Sequence, residues 1–313
     1  MNISQLNCFV ELCRVRNFSK AAENLSISQP GLSIQIKKLE DTFGYFLINR
    51  NTKPLSITPE GELFLEKAVT IIQMLNDLEE LSFEIEDEIK GHIQIGIIPT
   101  LSPYLVPLVI NQVNAKFPDL KIEIIELVTE DILSKLNFNE LDAGIISTPV
   151  HAKNVAFEVL FYEKFYLYVA ENHPLYKADR IKQADVPTDE LWYLSEGNCF
   201  QNQVNSVCSI PSFDLVPGNF RYVSSSIESL KRIVESQGGM TFIPELATLN
   251  VSSEYEDLIK ELESPAPFRE ISIVYLKTSG MKKLVRAFVE VLMESIPKRM
   301  KERPGWQPLN PNL

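Results

Sequence analysis

The first 58 residues carry apolar positions at the spacing of three short helices. The apolar residues of the first helix fall on one face: Leu6, Phe9, Val10 and Cys13. A second helix is predicted to begin at Ser19, because serine is a good N-cap residue. Its apolar residues are Ala21, Ala22 and Leu25.

The segment from Gln29 to Phe43 predicts a third helix. Ser28 can cap its N-terminus, and Pro30 lies in the first turn, where a missing N–H costs nothing. Two short strands around a turn follow, over 47–49 and 55–57. Three helices and such a hairpin form a winged helix-turn-helix, whose last helix can enter the DNA major groove.

Polar and basic side chains cover the outward side of the third helix and the hairpin. Glutamine and serine can reach base edges, and lysine and arginine can neutralise phosphates. The predicted DNA-binding residues are Ser28, Gln29, Pro30, Ser33, Gln35, Lys37, Lys38, Arg50 and Lys53. The alternative is an amphipathic module whose charged face is merely solvated, and spacing alone leaves both open.

Residues 59–90 contain no glycine after Gly61 and no proline after Pro59, which indicates one long helix. Apolar and small residues recur along it at alternating spacings of four and three: Phe64, Ala68, Ile71, Leu75, Leu78, Ser82, Ile85 and Ile89. A lone helix would expose this stripe, so we predict that it pairs with a second copy of the chain. The alternative is that the stripe packs against the chain's own domain.

From residue 91 strands alternate with helices, which is typical of α/β folds with parallel or mixed sheets. The predicted strands are 93–98, 121–128, 143–147, 165–170, 191–194, 220–223, 240–243 and 271–276. The segment is long enough for two lobes. Ligands in such folds bind beyond the carboxyl ends of strands. Thr100 and Thr129 each follow a strand, so their hydroxyls are predicted to converge on one cleft.

The predicted fold class is therefore α/β with an N-terminal, all-α winged helix-turn-helix and a two-lobed sensor. The expected segments are a DNA-binding domain (1–58), a dimerising linker helix (59–90), a regulatory domain (91–300) and a partly disordered tail (301–313).

Composition and charge limit the classes of function that the chain can have. The net charge of −12 argues against nucleic-acid binding by the whole chain. Residues 1–58, however, hold seven basic and four acidic side chains, so their net charge is positive. Neither a signal peptide nor a run of 18 apolar residues is present, so we expect a cytoplasmic protein without membrane contact. Four cysteines are too few for a disulfide scaffold, and three dispersed histidines suggest no metal site. No cofactor is expected.

Three stretches closely resemble the LysR-type transcriptional regulators: FSKAAENLSISQPGLSIQIKKLE (18–40), LINR (47–50) and LSITPEG (55–61). The resemblance implies a winged helix-turn-helix on double-stranded DNA and a linker helix that pairs protomers. It also implies a sensor domain like a periplasmic binding protein. Assembly into tetramers and contact with RNA polymerase are further expectations from the family.

The stretch SEGNCFQNQVNSVC (195–208) is similar to the redox segment of peroxide sensors in that family, where two cysteines nine positions apart form a regulatory disulfide. The resemblance implies that Cys199 and Cys208 sense hydrogen peroxide and control oxidative-stress genes. Further matches imply four peroxide-pocket residues: Thr100, Thr129, Asn198 and Arg269. Asn198 departs from the pattern, because well-known relatives have histidine there.

The spacing of this pair suggests a switch. If residues 199–208 form a helix, nine residues give about 13.5 Å of rise and leave the thiols on opposite faces. A disulfide needs Cα atoms within roughly 7 Å, so oxidation must unwind the segment. The helix N-terminus favours the Cys199 thiolate, which would attack peroxide, and Cys208 would resolve the sulfenic acid. Cellular thiol reductants would reverse the disulfide.

Three alternatives remain open. Cys199 and Cys208 could be buried, unreactive thiols, and the regulator could respond instead to a small organic effector between the lobes. An enzyme, either a thiol peroxidase or a disulfide oxidoreductase, is disfavoured because the sequence has no C-x-x-C motif and such an activity leaves the DNA-reading module unexplained. Cys8 and Cys13 are read as core residues of the first helix.

Overall fold

A computed structural model describes residues 1–85, 89–195, 199–208, 222, 224–249, 251–277, 282–306 and 308–309. Asn198, residues 310–313 and all of the predicted strand 220–223 except residue 222 lie outside these ranges. Within the described ranges, no helix combines the length and the apolar character needed to cross a membrane.

The chain is mixed α/β, as predicted. The helices are α1 (Ile3–Val15), α2 (Phe18–Asn24), α3 (Gln29–Phe43), α4 (Pro59–Ile85), α5 (Ser102–Lys116), α6 (Thr129–Asn137), α7 (Cys199–Cys208), α8 (Ile227–Gln237), α9 (Lys282–Ser295) and α10 (Lys298–Lys301). The strands are β1 (Ile48–Asn49), β2 (Ser56–Ile57), β3 (Gly91–Ile97), β4 (Leu120–Glu126), β5 (Ala143–Thr148), β6 (Val155–Val169), β7 (Arg180–Ile181), β8 (Met240–Pro244), β9 (Ile259–Leu262) and β10 (Phe268–Leu276).

The N-cap predicted for the second helix was wrong. α2 begins at Phe18, and the Asn17 side chain accepts a hydrogen bond from the Lys20 N–H at 3.0 Å. Asn17 has the extended backbone that an N-cap requires, and asparagine caps as well as serine does. Ser19 therefore lies within the first turn.

The third helix is confirmed with its predicted signals. The Ser28 hydroxyl accepts from the Gly31 N–H at 3.2 Å, and proline occupies the first turn. Gly44 ends the helix at a φ of 83°, in the left-handed region that glycine adopts without strain. Leu32, Ile36 and Leu39 are fully buried, so the polar side of α3 faces outward.

One carboxylate attaches the wing, the hairpin of β1 and β2, to this helix. Glu40 Oε1 accepts from the N–H groups of Leu47 and Ile48 at 3.0 and 3.2 Å. Its other oxygen accepts from Arg50 Nη2 at 3.1 Å. β1 and β2 pair antiparallel, which confirms the predicted hairpin.

The apolar stripe of α4 divides between two environments. Phe64 and Ala68 are buried in the core of the winged helix-turn-helix, and the Phe64 ring meets Phe9 edge-on at 5.2 Å. Ile71 and Leu78 are 41% and 65% exposed. The first part of the predicted dimer seam therefore packs within the chain, as the alternative interpretation held, whereas Ile71 and Leu78 further along the helix are exposed.

The regulatory segment contains one path of strands in the order β4-β3-β5-β10-β6-β9-β7, with β8 also paired to β6. β3 is parallel to β4 and β5, whereas β10 runs antiparallel to β5 and β6. One lobe contains β3, β4, β5 and β10, and the other contains β7, β8 and β9. The first part of β6 pairs with β10 and the last part with β8 and β9, so this strand runs through both lobes.

Two strand predictions need correction. Sequence reasoning placed a strand at 165–170, but β6 already begins at Val155. The strand predicted at 191–194 is wrong, because Leu191 and Leu194 form only isolated bridges, to Met240 and Ser224. An isolated bridge at each end pairs some of the backbone N–H and C=O groups, but the residues between do not form a continuous strand.

Candidate functional site

A buried ion pair lies where the chain passes between the lobes. Glu163 on β6 and Arg269 on β10 are register partners, and both side chains are completely buried. Arg269 Nε and Nη2 both approach Glu163 Oε2, at 2.9 and 2.7 Å. Glu163 Oε1 accepts from the Leu246 N–H at 2.9 Å. Burial raises the pKa of the Glu163 carboxyl, and the positive charge of Arg269 opposes that rise.

The Arg269 guanidinium also contacts two segments that were selected from the sequence, the one with Thr100 and the one with the two cysteines. Nη1 donates to Thr100 Oγ1 at 2.9 Å, and Nη2 lies 3.4 Å from the Thr100 carbonyl oxygen. The guanidinium carbon lies over the Phe200 ring, 5.0 Å from its centroid. Phe200 also stacks on Phe165 at 4.8 Å, with only 9° between the ring planes. The structure therefore joins Thr100, Arg269 and the cysteine helix.

α7 runs from Cys199 to Cys208, which confirms the predicted helix. Phe200, Val204 and Val207 are buried against the regulatory domain. In an α-helix nine residues give about 13.5 Å of rise, so the two Cα atoms are beyond the separation that a disulfide tolerates. The side chains of both cysteines lie outside the described part of the chain, and so does all of Asn198.

Gln203 was missed by sequence reasoning. Its side chain is completely buried, and Nε2 donates to Ser147 Oγ at 3.1 Å and to the Leu309 carbonyl at 2.9 Å. Among the residues that the structure describes, Gln203 Oε1 has no hydrogen-bond partner. The sequence did contain a signal for Gln203. It follows Cys199 by four residues, and residues four apart lie on the same face of an α-helix, one turn from each other.

Thr129 is the first residue of α6 and is buried like Thr100. The two threonines follow β3 and β4, which are parallel neighbours with Ile97 opposite Glu126. Both therefore lie at the carboxyl edge of the same pair of strands, where α/β folds bind ligands. The Thr100 hydroxyl accepts a hydrogen bond from Arg269.

The predicted DNA-binding residues differ in exposure. Exposed members are Ser28, Gln29, Pro30, Lys37, Lys38, Arg50 and Lys53, and half-buried members are Ser33 and Gln35. Arg50 is held in place, because its guanidinium pairs with Glu40, donates to Ser33 Oγ at 3.4 Å and lies 5.3 Å from the Phe18 ring centroid. It thus connects the wing to α3.

A winged helix-turn-helix joined by a long helix to a two-lobed α/β domain defines a class of DNA-binding regulators whose second domain receives a signal. Two family models match: "Bacterial regulatory helix-turn-helix protein, lysR family" over residues 3–62, and "LysR substrate binding domain" over residues 86–297. The chain belongs to the LysR family, which consists of transcription regulators and not enzymes.

Three similar proteins illustrate the match. The "Hydrogen peroxide-inducible genes activator" of Haemophilus influenzae is 32% identical over 282 residues, which cover 90% of this chain and 93% of that protein. A full-length OxyR variant from Pseudomonas aeruginosa superposes with a TM-score of 0.76 at 27% identity and covers 98% of this chain and 99% of its own. An H2O2-bound OxyR mutant from Corynebacterium glutamicum has a TM-score of 0.59 at 25% identity, with coverage of 94% and 93%.

Proposed function

We propose that this LysR-family regulator senses hydrogen peroxide through reversible disulfide formation between Cys199 and Cys208 and controls oxidative-stress genes. The observation that carries the proposal is that α7 begins at one cysteine and ends at the other. Bridging two ends of one helix requires the helix to unwind. The names of the similar peroxide-responsive proteins support the choice of oxidant.

The chemistry proceeds in two steps. The Cys199 thiolate attacks one peroxide oxygen, so that an S–O bond forms, the O–O bond breaks and hydroxide leaves, taking a proton to become water. The Cys208 thiol then loses its proton and attacks the sulfur of the Cys199 sulfenic acid, so that an S–S bond forms and the S–O bond breaks. The departing hydroxide takes up that proton and leaves as a second water. Two thiols are oxidised and one peroxide is reduced to two waters. A cellular dithiol reverses the disulfide by exchange.

The N-terminus of α7 and three side chains serve the first step. The first turn of α7 favours the Cys199 thiolate through the positive end of the helix dipole. Arg269 supplies positive charge for the departing hydroxide. The Thr100 hydroxyl accepts from Arg269 and retains one hydrogen to donate to peroxide. Gln203 Oε1 adds a buried acceptor for a peroxide O–H.

Sequence position assigns two further residues to the pocket. Thr129 lies at the same strand edge as Thr100, and Asn198 directly precedes Cys199. An asparagine amide can hydrogen-bond to peroxide but cannot act as the acid or base that histidine could be there. We expect the reaction to depend on the thiolate that α7 stabilises and not on a neighbouring imidazole.

The transcriptional response depends on how the protomers assemble on DNA. We infer that the exposed part of α4 pairs two protomers, that dimers associate into tetramers, and that the DNA-bound assembly contacts RNA polymerase in the cytoplasm. Unwinding of α7 releases the contacts of Phe200 and Gln203, which repacks the regulatory domain and moves the paired DNA-reading helices. Closing a ten-residue loop is worth about 2–3 kcal/mol, which matches typical allosteric couplings.

The test is free-thiol counting and bridge mapping by mass spectrometry before and after micromolar peroxide. We expect two thiols to disappear and one Cys199–Cys208 peptide to form. Cys199→Ser should abolish the change in DNA binding caused by peroxide, whereas Cys8→Ser is the control. An unchanged peroxide response in Cys199→Ser would favour the alternative of a small organic effector between the lobes.

A further inference from the structure

Glu163 is the one member of the buried ion pair that the proposed chemistry does not use. It was not selected from the sequence, and it touches neither cysteine helix nor threonine in the described contacts. Its carboxylate nevertheless receives two of the guanidinium nitrogens on one oxygen. We propose that Glu163 is a positioning residue for the reaction of Cys199 with peroxide, because it fixes the Arg269 guanidinium between Thr100 and Phe200. The inference rests on the proposed function.

The orientation of Arg269 depends most on this carboxylate. Thr100 offers the guanidinium two neutral acceptors, the hydroxyl at 2.9 Å and the carbonyl at 3.4 Å. Glu163 offers the charged acceptor at 2.7 Å. Arg269 carries its charge in all of these hydrogen bonds, but only the contact with Glu163 adds the attraction of a full opposite charge, which is strong in a buried site. Glu163 is itself held by the Leu246 N–H, so the guanidinium is fixed through the carboxylate to the backbone of the other lobe.

Phe200 carries this orientation to the reacting cysteine. Phe200 directly follows Cys199 in the first turn of α7, and its ring is packed against both Arg269 and Phe165. A guanidinium that turned away from Glu163 would lose its contact with the ring and shift its charge relative to the helix N-terminus. Glu163 also balances the Arg269 charge, so its neutralisation would leave an uncompensated cation next to the first turn of α7, where Phe200 lies.

The experiment compares Glu163→Gln with Glu245→Gln in the full-length reduced protein. Glu245 is a matched control: it is buried, accepts from the Lys164 N–H at 3.2 Å and from an arginine Nε at 2.6 Å, but that arginine, Arg299, is exposed. The readout is the second-order rate of Cys199 oxidation by hydrogen peroxide across pH.

We expect Glu163→Gln to lower the limiting rate at high pH at least tenfold and to move the midpoint of the pH profile to lower pH. The midpoint moves to lower pH because the unbalanced guanidinium favours the thiolate. The limiting rate falls because a thiolate that forms at lower pH is less nucleophilic. Glu245→Gln should stay within twofold with an unmoved midpoint. In an Arg269→Met background, Glu163→Gln should change the rate less than twofold, because its route of action is gone.

Should Glu163→Gln fail to fold, Glu163→Asp keeps the charge and withdraws the carboxylate by one methylene. Its limiting rate should fall at least threefold while its midpoint stays in place. A Glu163→Gln rate within twofold of the unchanged protein overturns the inference, and so does an equal loss with and without Arg269. If Cys199 of the unchanged protein does not react with peroxide at all, the proposed function itself has failed.

Discussion

Glu163 and Arg269 lie directly opposite each other on β6 and β10, at the level where β6 exchanges β10 for β8 as its partner. The pair is completely buried and binds segments from several parts of the chain, namely Thr100 after β3, Phe200 on α7 and the backbone of Leu246. The same residues that hold the two lobes together therefore contact the helix that carries the cysteines. This arrangement makes the ion pair a point where stability and sensing can be measured separately.

Replacing Arg269 by methionine should destabilise the protein by about 3–5 kcal/mol, because it leaves the buried Glu163 carboxylate unpaired. The loss should depend on pH. Burial raises the pKa of folded Glu163, and Arg269→Met removes the opposing charge. The folded state then binds more protons than the unfolded state, so stability should fall as pH rises above about 4.3, the unfolded value for glutamate. The free energy of unfolding of Arg269→Met and of the unchanged protein, measured with urea at several pH values between 4 and 8, tests this prediction.

The double variant Glu163→Met, Arg269→Met is the control for that measurement. An apolar pair of similar volume leaves no buried charge, so most of the lost stability should return and the added pH dependence should vanish. A double variant as unstable as Arg269→Met would show that the site needs the ion pair itself and not merely a filled space.

The two halves of the α4 stripe should respond differently to substitution. Phe64→Ala removes a ring buried between Phe9 and Phe43, so it should cost about 3–5 kcal/mol in the free energy of unfolding. Leu78→Glu lies on the exposed part, so it should weaken self-association and change the unfolding of the monomer little. Sedimentation velocity and urea unfolding separate the two effects. Unaltered self-association of Leu78→Glu would contradict pairing through this face.

DNA binding should separate into phosphate and base contacts. Lys38 is exposed on α3, so Lys38→Ala should weaken binding to all sequences alike and reduce the slope of affinity against salt by about 1. Gln29 lies in the first turn of α3, so Gln29→Ala should relax sequence preference by about 1–3 kcal/mol at one position with the slope unchanged. Anisotropy titrations on DNA selected in vitro measure both. Identical salt slopes for Lys38→Ala and the unchanged protein would remove Lys38 from the interface.

Local signals allowed the winged helix-turn-helix to be predicted closely. A capping serine, a first-turn proline and a terminal glycine bound α3, and all three act over a few residues. β5 and β8 are fully buried and mostly apolar, so both were also found. The first part of β6 was missed because it is a partly exposed strand that places Phe157 and Val159 towards solvent and Glu163 in the interior.

Long-range contacts could not be predicted from local pattern. Glu163 and Arg269 are 106 positions apart, and nothing in the residues around Glu163 distinguishes it from a surface carboxylate. The resemblance selected Arg269 and Thr100 but not the carboxylate that binds Arg269. The domain limits 1–58, 59–90, 91–300 and 301–313 remain predictions, as do the roles of the site residues.

The C-terminal segment provides a test of how α7 is held. Trp306 Nε1 donates to the Ala266 carbonyl at 2.9 Å, and its ring lies 6.0 Å from that of Phe268. The Leu309 N–H donates to the Phe268 carbonyl at 2.9 Å, while the Leu309 carbonyl accepts from Gln203 of α7. The segment up to Leu309 is thus attached both to β10 and to the cysteine helix.

Deleting residues 306–313 should therefore cost about 2–4 kcal/mol, the sum of a few hydrogen bonds and one aromatic contact. It should also speed amide hydrogen exchange in α7, because Gln203 loses an acceptor in a site where it is completely buried. Deleting only 310–313 is the control, since every contact described above remains. If α7 exchanged at the same rate in both deletions, the tail would stabilise β10 alone, and unwinding of the cysteine helix would not be coupled to it.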